Sequence, residues 1–439
     1  MTWPDVLVAG AGPSGCATAL AHARRGARVM LVGLEESPDR RLSGEWLHPA
    51  GVTALRRWGV SLSGAEFTEN RGFVFHLGEG RAPLMLPYPL GTAVTMRHQV
   101  LVNRLRQMAS DHPGITLLLG ERVTNATTDG AATTTAGTFQ AGLLVGADGR
   151  SSKVRRVLRP QEPPAGTLSA TAGFDLTGVR LPIEGYGHIF LGGAGPALAY
   201  RIGPDTIRLS LDVVHRHRTT PAEKLRELRQ GYAPALPEDL RAAFLQSTGH
   251  EPRVRWATNR LRLRRFYGAG HLALVGDAVG FGHPLAAHGM TTGILDAECL
   301  ARRGDVAAYR RERRRRSWVS ERLGIALHRA MTDATSAVLR DALLHLWIHN
   351  PPERDRMMRL LAVEEDSRTE FGLAVAHIAA ASLISVGVPA SQSPPGTGVH
   401  RGRATLDLAK WLLWLCGPDP TASGATWPPS GGDMRSQAQ

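Results

Sequence analysis

The stretch DVLVAGAGPSGCATALAHARRGARVMLVG, residues 5–33, decides the fold class of this chain. It opens with a short apolar run typical of a central parallel strand, and a helix rich in small residues and a second apolar run follow. Gly10, Gly12 and Gly15 form the pattern GxGxxG between strand and helix. This pattern allows a tight turn, close approach of a pyrophosphate and close helix packing. The stretch therefore predicts a Rossmann-like α/β domain that binds a dinucleotide.

The second strand lacks the acidic residue that usually binds the ribose at the strand end. Gly33 occupies that position, and Glu35 follows just beyond it. Either Glu35 reaches back to the ribose hydroxyls or the ribose is held less tightly.

Composition predicts a globular protein of the reducing cytosol. The chain has 439 residues, enough for two or three domains, and 43% of them are hydrophobic. Cys16, Cys299 and Cys416 form no CxxC pair, which suggests neither disulfides nor a zinc site. A strand begins within five residues, so we expect no signal peptide. The most apolar long stretch, 371–388, carries His377 and favours a packed helix, so membrane association is at most peripheral.

The net charge is +13, and one arginine cluster is dense, YRRERRRRSWVSER at 309–322. Such a cluster binds nucleic acid or an anionic membrane, or is a solvated helix face. No helix-turn-helix or base-stacking module accompanies it, so the solvated face is favoured and no nucleic acid is expected. A non-catalytic protein attached to nucleic acid or membrane through this cluster is the alternative from another class.

The pattern changes along the chain and predicts a split first domain. Short alternating segments from about 165 to 215 are typical of an antiparallel sheet, LALVGDA at 272–278 returns to a buried-strand pattern, and the chain beyond 295 is mostly helical. The predicted units are a nucleotide-binding domain at 1–160 and 265–325, an antiparallel-sheet substrate domain at 161–264, a helical region at 326–415 and a disordered tail at 416–439.

Two later stretches also end a buried strand in a glycine turn. The first is GLLVGADGRSSKVRRVL at 142–158, in which Asp148 is either a helix cap or part of a more specific cofactor motif. The second is GDAVGFGHPLAAHGMT at 276–291, where Gly276 and Asp277 end a strand ahead of a helix. Asp277 can accept a ribityl hydroxyl, and the helix N-terminus can stabilise negative charge on a reduced ring.

Three such stretches in this order resemble the flavoprotein monooxygenases related to para-hydroxybenzoate hydroxylase. Further motifs narrow the resemblance to the squalene epoxidase family, over about residues 5–300. RLSGEWLHPAGVTAL (41–55) is similar to its Arg-x-x-Gly-Glu segment, and ALAYRIGPDTIRLSLDV (197–213) to its central hairpin. ATNRLRL (257–263) with the loop at 276–291 is similar to its Pro-Asn-Arg strand and His-Pro-Leu loop. The resemblance implies a Rossmann-like FAD-binding domain of the GR2 type with an inserted antiparallel sheet and a helical C-terminal region.

The resemblance also implies, residue by residue, which side chains and turns hold FAD. The expected cofactor-binding set is Gly10, Gly12, Pro13, Ser14, Gly15, Glu35, Arg41, Arg97, Val123, Asp148, Gly276, Asp277, Pro284, Gly289 and Met290. In this set Val123 ends a strand and would meet the adenine through its backbone. Without the resemblance, Arg41 and Arg97 are equally well explained as surface salt bridges.

The chain departs from the family pattern beside the expected flavin ring. Where the family has consecutive glycines, residues 286–289 read AAHG, so side chains either narrow the space above the flavin or His288 turns away into solvent. His288 is the candidate catalytic residue, whereas His283 is expected to be packed or exposed. Trp46 and His48 are candidate substrate contacts, although a core tryptophan is equally well explained.

The resemblance implies an FAD-dependent monooxygenase. In that mechanism reduced FAD reacts with O2 to a C4a-hydroperoxide, whose distal oxygen epoxidises or hydroxylates a lipophilic metabolite such as a terpenoid or polyketide. No metal or nucleophile is expected, and neither HExxH nor GxSxG occurs. Electrons come from NAD(P)H bound transiently, since there is no second GxGxxG, or from a separate flavin reductase.

Three relatives of this fold remain to be weighed. Flavin halogenases need a Trp-x-Trp-x-Ile-Pro segment and a channel lysine; that segment does not occur here, and the lysines are Lys153, Lys224 and Lys410. Flavin-dependent reductases of prenyl double bonds remain an alternative that anaerobic turnover would favour. A flavin-bound cyclase is a third, less favoured interpretation.

Overall fold

The computed structural model describes residues 3–35, 42–78, 80–213, 220–249, 254–332 and 337–387. The predicted disordered tail at 416–439 lies outside these ranges.

The strands are short apolar or alternating runs, as the sequence pattern predicts. The first are β1 (Val6–Ala9), β2 (Val29–Gly33), β3 (Trp46–Leu47), β4 (Thr68–Asn70), β5 (Gly72–His76), β6 (Leu84–Pro87), β7 (Ala93–Thr95), β8 (Ile115–Leu119), β9 (Val123–Ala126) and β10 (Ala131–Thr134). They are followed by β11 (Gly137–Gln140), β12 (Leu143–Gly146), β13 (Gly166–Thr177), β14 (Gly187–Phe190), β15 (Ala197–Gly203), β16 (Thr206–Val213), β17 (Arg255–Leu261), β18 (Gly268–Ala269) and β19 (Leu272–Leu274).

The helices lie between the strands in the first part of the chain and follow one another in the last part. They are α1 (Pro13–Ala23), α2 (Pro49–Arg57), α3 (His98–Asp111), α4 (Lys153–Leu158), α5 (Pro221–Tyr232), α6 (Glu238–Ser247), α7 (Gly289–Arg303), α8 (Val306–Thr332), α9 (Ala337–His349), α10 (Pro351–Leu361) and α11 (Arg368–Gly387). Gly276–Ala278 and Pro284–Ala286 are short 3-10 turns ahead of α7.

The first sheet confirms the predicted α/β class and Rossmann-like domain. Its strand order is β18-β19-β12-β1-β2-β8. β1 pairs in parallel with β2 and β12, and β12 pairs in parallel with β19. These strands are apolar runs with little exposure, as expected for a parallel sheet covered on both faces. Because β19 follows the second sheet in sequence, the domain that begins at β1 is completed only after an insertion.

The second sheet is the predicted antiparallel insertion, with strand order β17-β13-β16-β15-β14-β5-β6. The long strand β13 pairs with β16 on one side and β17 on the other. β5 and β6 extend the far edge through a parallel pairing of β5 with β14. The sheet thus takes two strands from ahead of the 161–264 segment, and the domain boundaries stay a prediction. Two three-stranded sheets, β11-β10-β9 and β3-β7-β4, complete the described strands.

The C-terminal helices α8 to α11 cover one face of the second sheet. Apolar side chains of β5, β6, β14 and β15 form one buried cluster with these helices, in which the Phe75 and Trp347 rings meet edge-on, 5.7 Å between centres. α5 and α6 cover the opposite face, where Phe174 meets Phe244 at 5.1 Å. No helix in the described ranges is both long enough and apolar enough to cross a membrane.

The arginine cluster at 309–322 lies on α8. Arg313 is buried and its Nε lies 2.7 Å from Asp296 Oδ1, and the buried Arg322 guanidinium lies 3.9 Å from the ring centre of Trp318. The solvated-face interpretation is therefore wrong for these two arginines. Arg311, Arg314 and Arg315 are exposed.

Candidate active site

The turns after β1, β12 and β19 meet at one edge of the first sheet, because the three strands are parallel and adjacent. Gly10 follows β1 with φ +114°, and a Cβ there would lie 2.4 Å from the carbonyl oxygen of Ala147 after β12. Ala147 N–H in turn donates to the Ala9 carbonyl at 2.7 Å. Only glycine fits at position 10, since the conformation and the space both exclude a side chain.

The N-terminus of α1 opens onto this edge. A Cβ at Gly12 would meet no atom within 4 Å, and no side chain caps the helix. Pro13 is its first residue and Gly15 packs against Gly10, where a Cβ would lie 1.6 Å from the Gly10 oxygen. Ser14 Oγ lies against the glycines at 276 and 293. The N-terminus of α1 is thus uncapped by any side chain and uncrowded beside Gly12, an arrangement that can bind a phosphate.

Asp148 and Asp277 follow β12 and β19. Asp148 Oδ2 accepts hydrogen bonds from Lys153 N at 2.6 Å and Val154 N at 3.2 Å, so it caps α4, as one of the two sequence interpretations requires. Its Oδ1 is buried without a hydrogen-bond partner among the described residues. Asp277 is partly exposed, and its Oδ2 accepts from Arg150 Nε at 3.2 Å.

Of four further predicted cofactor contacts, three lie on described segments away from these turns in sequence. Arg97 donates to Asp175 Oδ2 at 2.9 Å, an ion pair between α3 and the second sheet, as the salt-bridge alternative predicts. Val123 begins β9, so the expectation that it ends a strand is wrong. Glu35 is exposed. Arg41 lies outside the described residues.

Arg106, which the sequence did not indicate, connects the turn after β1 to the segment after β2. Its Nε donates to the Ala11 carbonyl at 2.9 Å and its Nη2 to the Leu34 carbonyl at 3.1 Å. The turn after β1 is therefore fixed to the chain that follows β2, on the side where Glu35 stands.

A second arginine that the sequence did not indicate, Arg264, fixes the turn after β19. Its Nη1 donates to the carbonyls of Gly276 at 3.0 Å and Gly280 at 3.1 Å, and its Nη2 pairs with Asp296. Asp296 Oδ2 also accepts from Gly276 N at 2.9 Å. Burial alone would lower the pKa of Arg264, but the Asp296 carboxylate outweighs it and keeps that pKa above its ordinary value.

Trp46 and His48 belong to a buried hydrogen-bonded chain. Trp46 stacks on Phe73 with ring centres 4.6 Å apart, so it is the core tryptophan of the alternative interpretation. Trp46 Nε1–H donates to the Tyr88 hydroxyl at 3.2 Å, which donates to His48 Nδ1 at 2.8 Å. His48 Nε2–H then donates to the Ala286 carbonyl at 2.9 Å. Burial lowers the pKa of His48 to about 3, so the ring is neutral.

The ring nitrogens of His288 face α8 and α10, so the orientation into solvent, one of the two expected from the sequence, is wrong. Its Nδ1 lies 3.1 Å from the Ser320 carbonyl on α8, and its Nε2 lies 3.0 Å from the Leu361 carbonyl at the end of α10. Burial lowers its pKa to about 4. The side chain therefore connects the loop at 276–291 to the helical region.

His283, five residues before His288 in the same loop, lies in a buried group with Asp212 and His328. One candidate ligand atom from each residue lies within 4.8 Å of the other two. The 3-10 turn Pro284–Ala286 follows His283 directly, and Met290 is buried in the first turn of α7. The quoted motifs contain His283 and Asp212, but their meeting depends on the second sheet and α8.

Residues 140–361 match the family model described as squalene epoxidase, about half of the chain, and residues 5–147 match the model described as FAD dependent oxidoreductase. The squalene epoxidase erg1 of Aspergillus fumigatus is 29% identical over 67% of this chain and 65% of its own length. The squalene epoxidase ERG1 of Saccharomyces cerevisiae is 26% identical over 78% of this chain and 77% of its own length. The chain thus spans about two thirds to three quarters of these relatives.

Solved structures share the fold at lower identity. The probable FAD-dependent monooxygenase pqsL of Pseudomonas aeruginosa is 23% identical with a TM-score of 0.64, covering 75% of this chain and 97% of its own. The p-nitrophenol 4-monooxygenase PnpA of Pseudomonas putida is 19% identical with a TM-score of 0.66, covering 84% and 98%.

The fold and the three glycine turns define the class: this is a flavoprotein oxidoreductase with the architecture of FAD-dependent monooxygenases. Within that class, the chain belongs to the squalene epoxidase family.

The observed edge fits FAD. The open N-terminus of α1 beside Gly12 would hold the pyrophosphate. Asp277 presents a partly exposed carboxylate toward the start of α7, where a ribityl hydroxyl would donate to it. The unpartnered Asp148 Oδ1 is a further acceptor at the same edge.

Proposed function

We propose that this chain, with FAD at the edge of the first sheet, inserts one oxygen atom of O2 into a lipophilic metabolite by epoxidation or hydroxylation. FAD supplies the redox chemistry that activates oxygen, and the protein binds the substrate, orients it and excludes water. The observation that carries this proposal is an apolar pocket beside the loop at 276–291.

The pocket lies between α8, α9, α10 and α11 and is partly open to solvent; its empty space, including that opening, is about 390 Å³. Its lining is wholly apolar: Leu323, Ala326, Leu327, Ala330, Leu339, Leu343, Met357, Phe371, Ala374, Val375 and Ile378. Such a wall accepts hydrocarbon and offers no partner to a charged ligand. Ala286 of the loop belongs to the same buried apolar cluster as the pocket residues Leu323 and Ala326. The pocket therefore adjoins the loop that would border the flavin.

The state of His48 and His288 supports a reaction in which the cofactor, and neither of these side chains, carries the chemistry. His48 and His288 are neutral near pH 7, since burial lowers their pKa values to about 3 and about 4. Both ring nitrogens of His48 are hydrogen-bonded, whereas the neutral ring of His288 has one N–H and donates to one of its two neighbouring carbonyls. We therefore assign His288 the role of anchoring the loop to α8 and α10, in place of proton transfer.

The direct test uses FAD-reconstituted protein, NAD(P)H and ¹⁸O2, with squalene and shorter prenyl hydrocarbons as probes. The expected product carries one ¹⁸O atom, detected by mass spectrometry. Turnover without O2 to a product with two added hydrogens would instead identify a prenyl reductase. Failure to bind FAD at all would refute the flavoprotein assignment.

A pocket variant tests where the substrate lies. Ala374→Phe fills the pocket from α11, and we expect the KM for a lipophilic probe to rise roughly tenfold while FAD affinity is unchanged. Ala376→Phe on the exposed face of the same helix is the control. Equal KM values for the two variants would place the substrate elsewhere.

The electron donor is the remaining part of the proposal. We propose that NAD(P)H reduces the flavin during a transient encounter. Anaerobic stopped-flow absorbance distinguishes this from transfer through a partner: rapid bleaching by NAD(P)H alone supports it, and bleaching that requires an added flavin reductase refutes it.

A further inference from the structure

The buried group Asp212, His283 and His328 has no part in the proposed oxygen transfer. Asp212 is on β16, His328 is on α8, and His283 immediately precedes the turn Pro284–Ala286. All three are buried. The group therefore joins the second sheet and the helical region to the loop that would border the flavin.

The contacts of His283 fix the direction of each hydrogen bond. Leu285 N–H can only donate, so His283 Nδ1, 3.2 Å away, accepts, and a neutral ring carries its proton on Nε2. This Nε2–H points to Ser169 Oγ at 2.8 Å. The Ser169 hydroxyl donates to Asp212 Oδ1 at 2.5 Å. Asp212 Oδ1 itself lies 3.3 Å from His283 Nε2, so the carboxylate selects the tautomer of His283 both directly and through Ser169.

Asn259 on β17 also contacts Ser169 and Asp212 and helps to orient their oxygen atoms. Its Nδ2 lies 2.8 Å from Ser169 Oγ and 3.1 Å from Asp212 Oδ1, and its Oδ1 accepts from the Thr171 hydroxyl at 3.1 Å. Since β17, β13 and β16 are adjacent strands, the sheet itself holds these polar groups in place.

His328 shares the same carboxylate from the other side. Its ring stacks on that of His283 with centres 3.8 Å apart, and its Nε2 lies 3.3 Å from Asp212 Oδ2. Burial alone would raise the pKa of Asp212, but the two histidines outweigh it and lower that pKa below its ordinary value. Asp212 is therefore an anion throughout the neutral range.

We propose that His283 is a positioning residue: the Asp212–Ser169 pair holds it as the Nε2–H tautomer, and its Nδ1 fixes the Leu285 N–H and the turn against the flavin. Ala287, the residue directly after the turn Pro284–Ala286, has φ +51°, a backbone conformation that a residue other than glycine adopts only when its surroundings stabilise it. The proposal rests on the proposed function only in that a flavin lies at this turn.

The groups that face His283 determine its pH dependence. They are the anion of Asp212 on β16, His328 on α8 and the guanidinium of Arg150 after β12. Burial lowers the pKa of His283 and outweighs Asp212, which acts to raise it. Protonation would place hydrogen on Nδ1 against the Leu285 N–H, so the turn loosens as pH falls through this lowered pKa.

The tautomer itself is measurable without turnover. ¹⁵N-histidine NMR of the full chain, with and without FAD, is expected to show a pyrrole-type Nε2 and a pyridine-type Nδ1 for His283 at pH 7.5, assigned by its loss in His283→Asn. The opposite tautomer overturns the proposal even if the protein oxygenates its substrate. A missing flavin overturns the proposed function and leaves the tautomer result standing.

Two matched substitutions separate positioning from mere packing. His283→Asn keeps an acceptor near the Nδ1 position, whereas His283→Gln keeps a group near Nε2 and loses the acceptor for Leu285 N–H. We expect His283→Gln to weaken FAD binding roughly tenfold and to raise the share of NAD(P)H lost to H2O2, with His283→Asn within about twofold of wild type. The exposed His271→Gln is the control. Equal losses in both His283 variants would show packing alone.

Metal analysis supplies the last test. A metal on His283 Nε2 requires the proton on Nδ1, so stoichiometric Zn²⁺ or Co²⁺ in the wild-type protein, lost in Asp212→Asn, overturns the proposal. Absence of bound metal after dialysis against either ion supports it.

Discussion

Replacing Arg264 by methionine should destabilise the protein more than any exposed arginine substitution. The side chain is buried and bonds the carbonyls of Gly276 and Gly280 while pairing with Asp296. Its removal takes this donor from the Gly280 carbonyl, leaves the Gly276 carbonyl with Val279 N–H alone, and leaves Asp296 with Arg313 as its remaining ion-pair partner. Breaking a buried pair of this kind costs about 3–5 kcal/mol. Methionine keeps most of the apolar stem, so the change isolates the guanidinium.

The assay is urea unfolding followed by tryptophan fluorescence, with FAD affinity measured separately. Arg28→Met is the control, because Arg28 and its partner Asp5 are about half exposed and solvent screens their pair. FAD affinity should also fall in Arg264→Met, since Gly276 begins the turn beside Asp277. A loss of unfolding free energy below about 1 kcal/mol, on the scale of surface substitutions, would refute the reasoning.

Two further predictions concern the glycine turn and the buried histidines. Gly10→Ala should abolish FAD binding while Gly120→Ala, at an exposed loop glycine with nothing near its Cβ position, should not, as measured by flavin fluorescence titration. Stability should fall as pH drops from about 6.5 toward 4, because the folded-state pKa values of His48 and His288 lie below those of the unfolded chain, which therefore binds more protons. The steepest slope is about 1.4 kcal/mol per pH unit for each histidine, and urea midpoints at pH 7, 6 and 5 that do not change would contradict it.

The glycine turn after β1 could be predicted because its requirements are local. The turn between β1 and α1 leaves no room for a side chain at Gly10 or Gly15. The motif GxGxxG between a strand and a helix is the sequence pattern of such a turn, so a few consecutive residues suffice to predict it. The apolar runs of β1, β2, β12 and β19 indicated buried strands in the same way, although they did not give the order of the strands in the sheet.

The parts that were missed or misplaced depend on contacts between distant segments. His288 turns to carbonyls of α8 and α10, and Asp212 meets His283 only once β16 lies beside the loop. The parallel pairing of β5 with β14 is likewise set by packing under the C-terminal helices, since the short run at 72–76 does not specify a partner. The hydrophobic period and the sequence motifs do not indicate which distant segments come into contact.

The ribosome synthesises β19 long after the other parallel strands of the first sheet, and this order affects folding during translation. A ribosome adding roughly 5–20 residues per second needs about 6–25 s to pass from β12 to β19. During that interval the nascent chain displays the apolar edge of β12, which pairs with β19 in the finished protein. The edge that we propose binds FAD is likewise incomplete until Gly276 and Asp277 have emerged, so on this proposal FAD binds late in synthesis. Expression in cells should therefore depend on chaperones that shield this edge during translation more than on flavin supply.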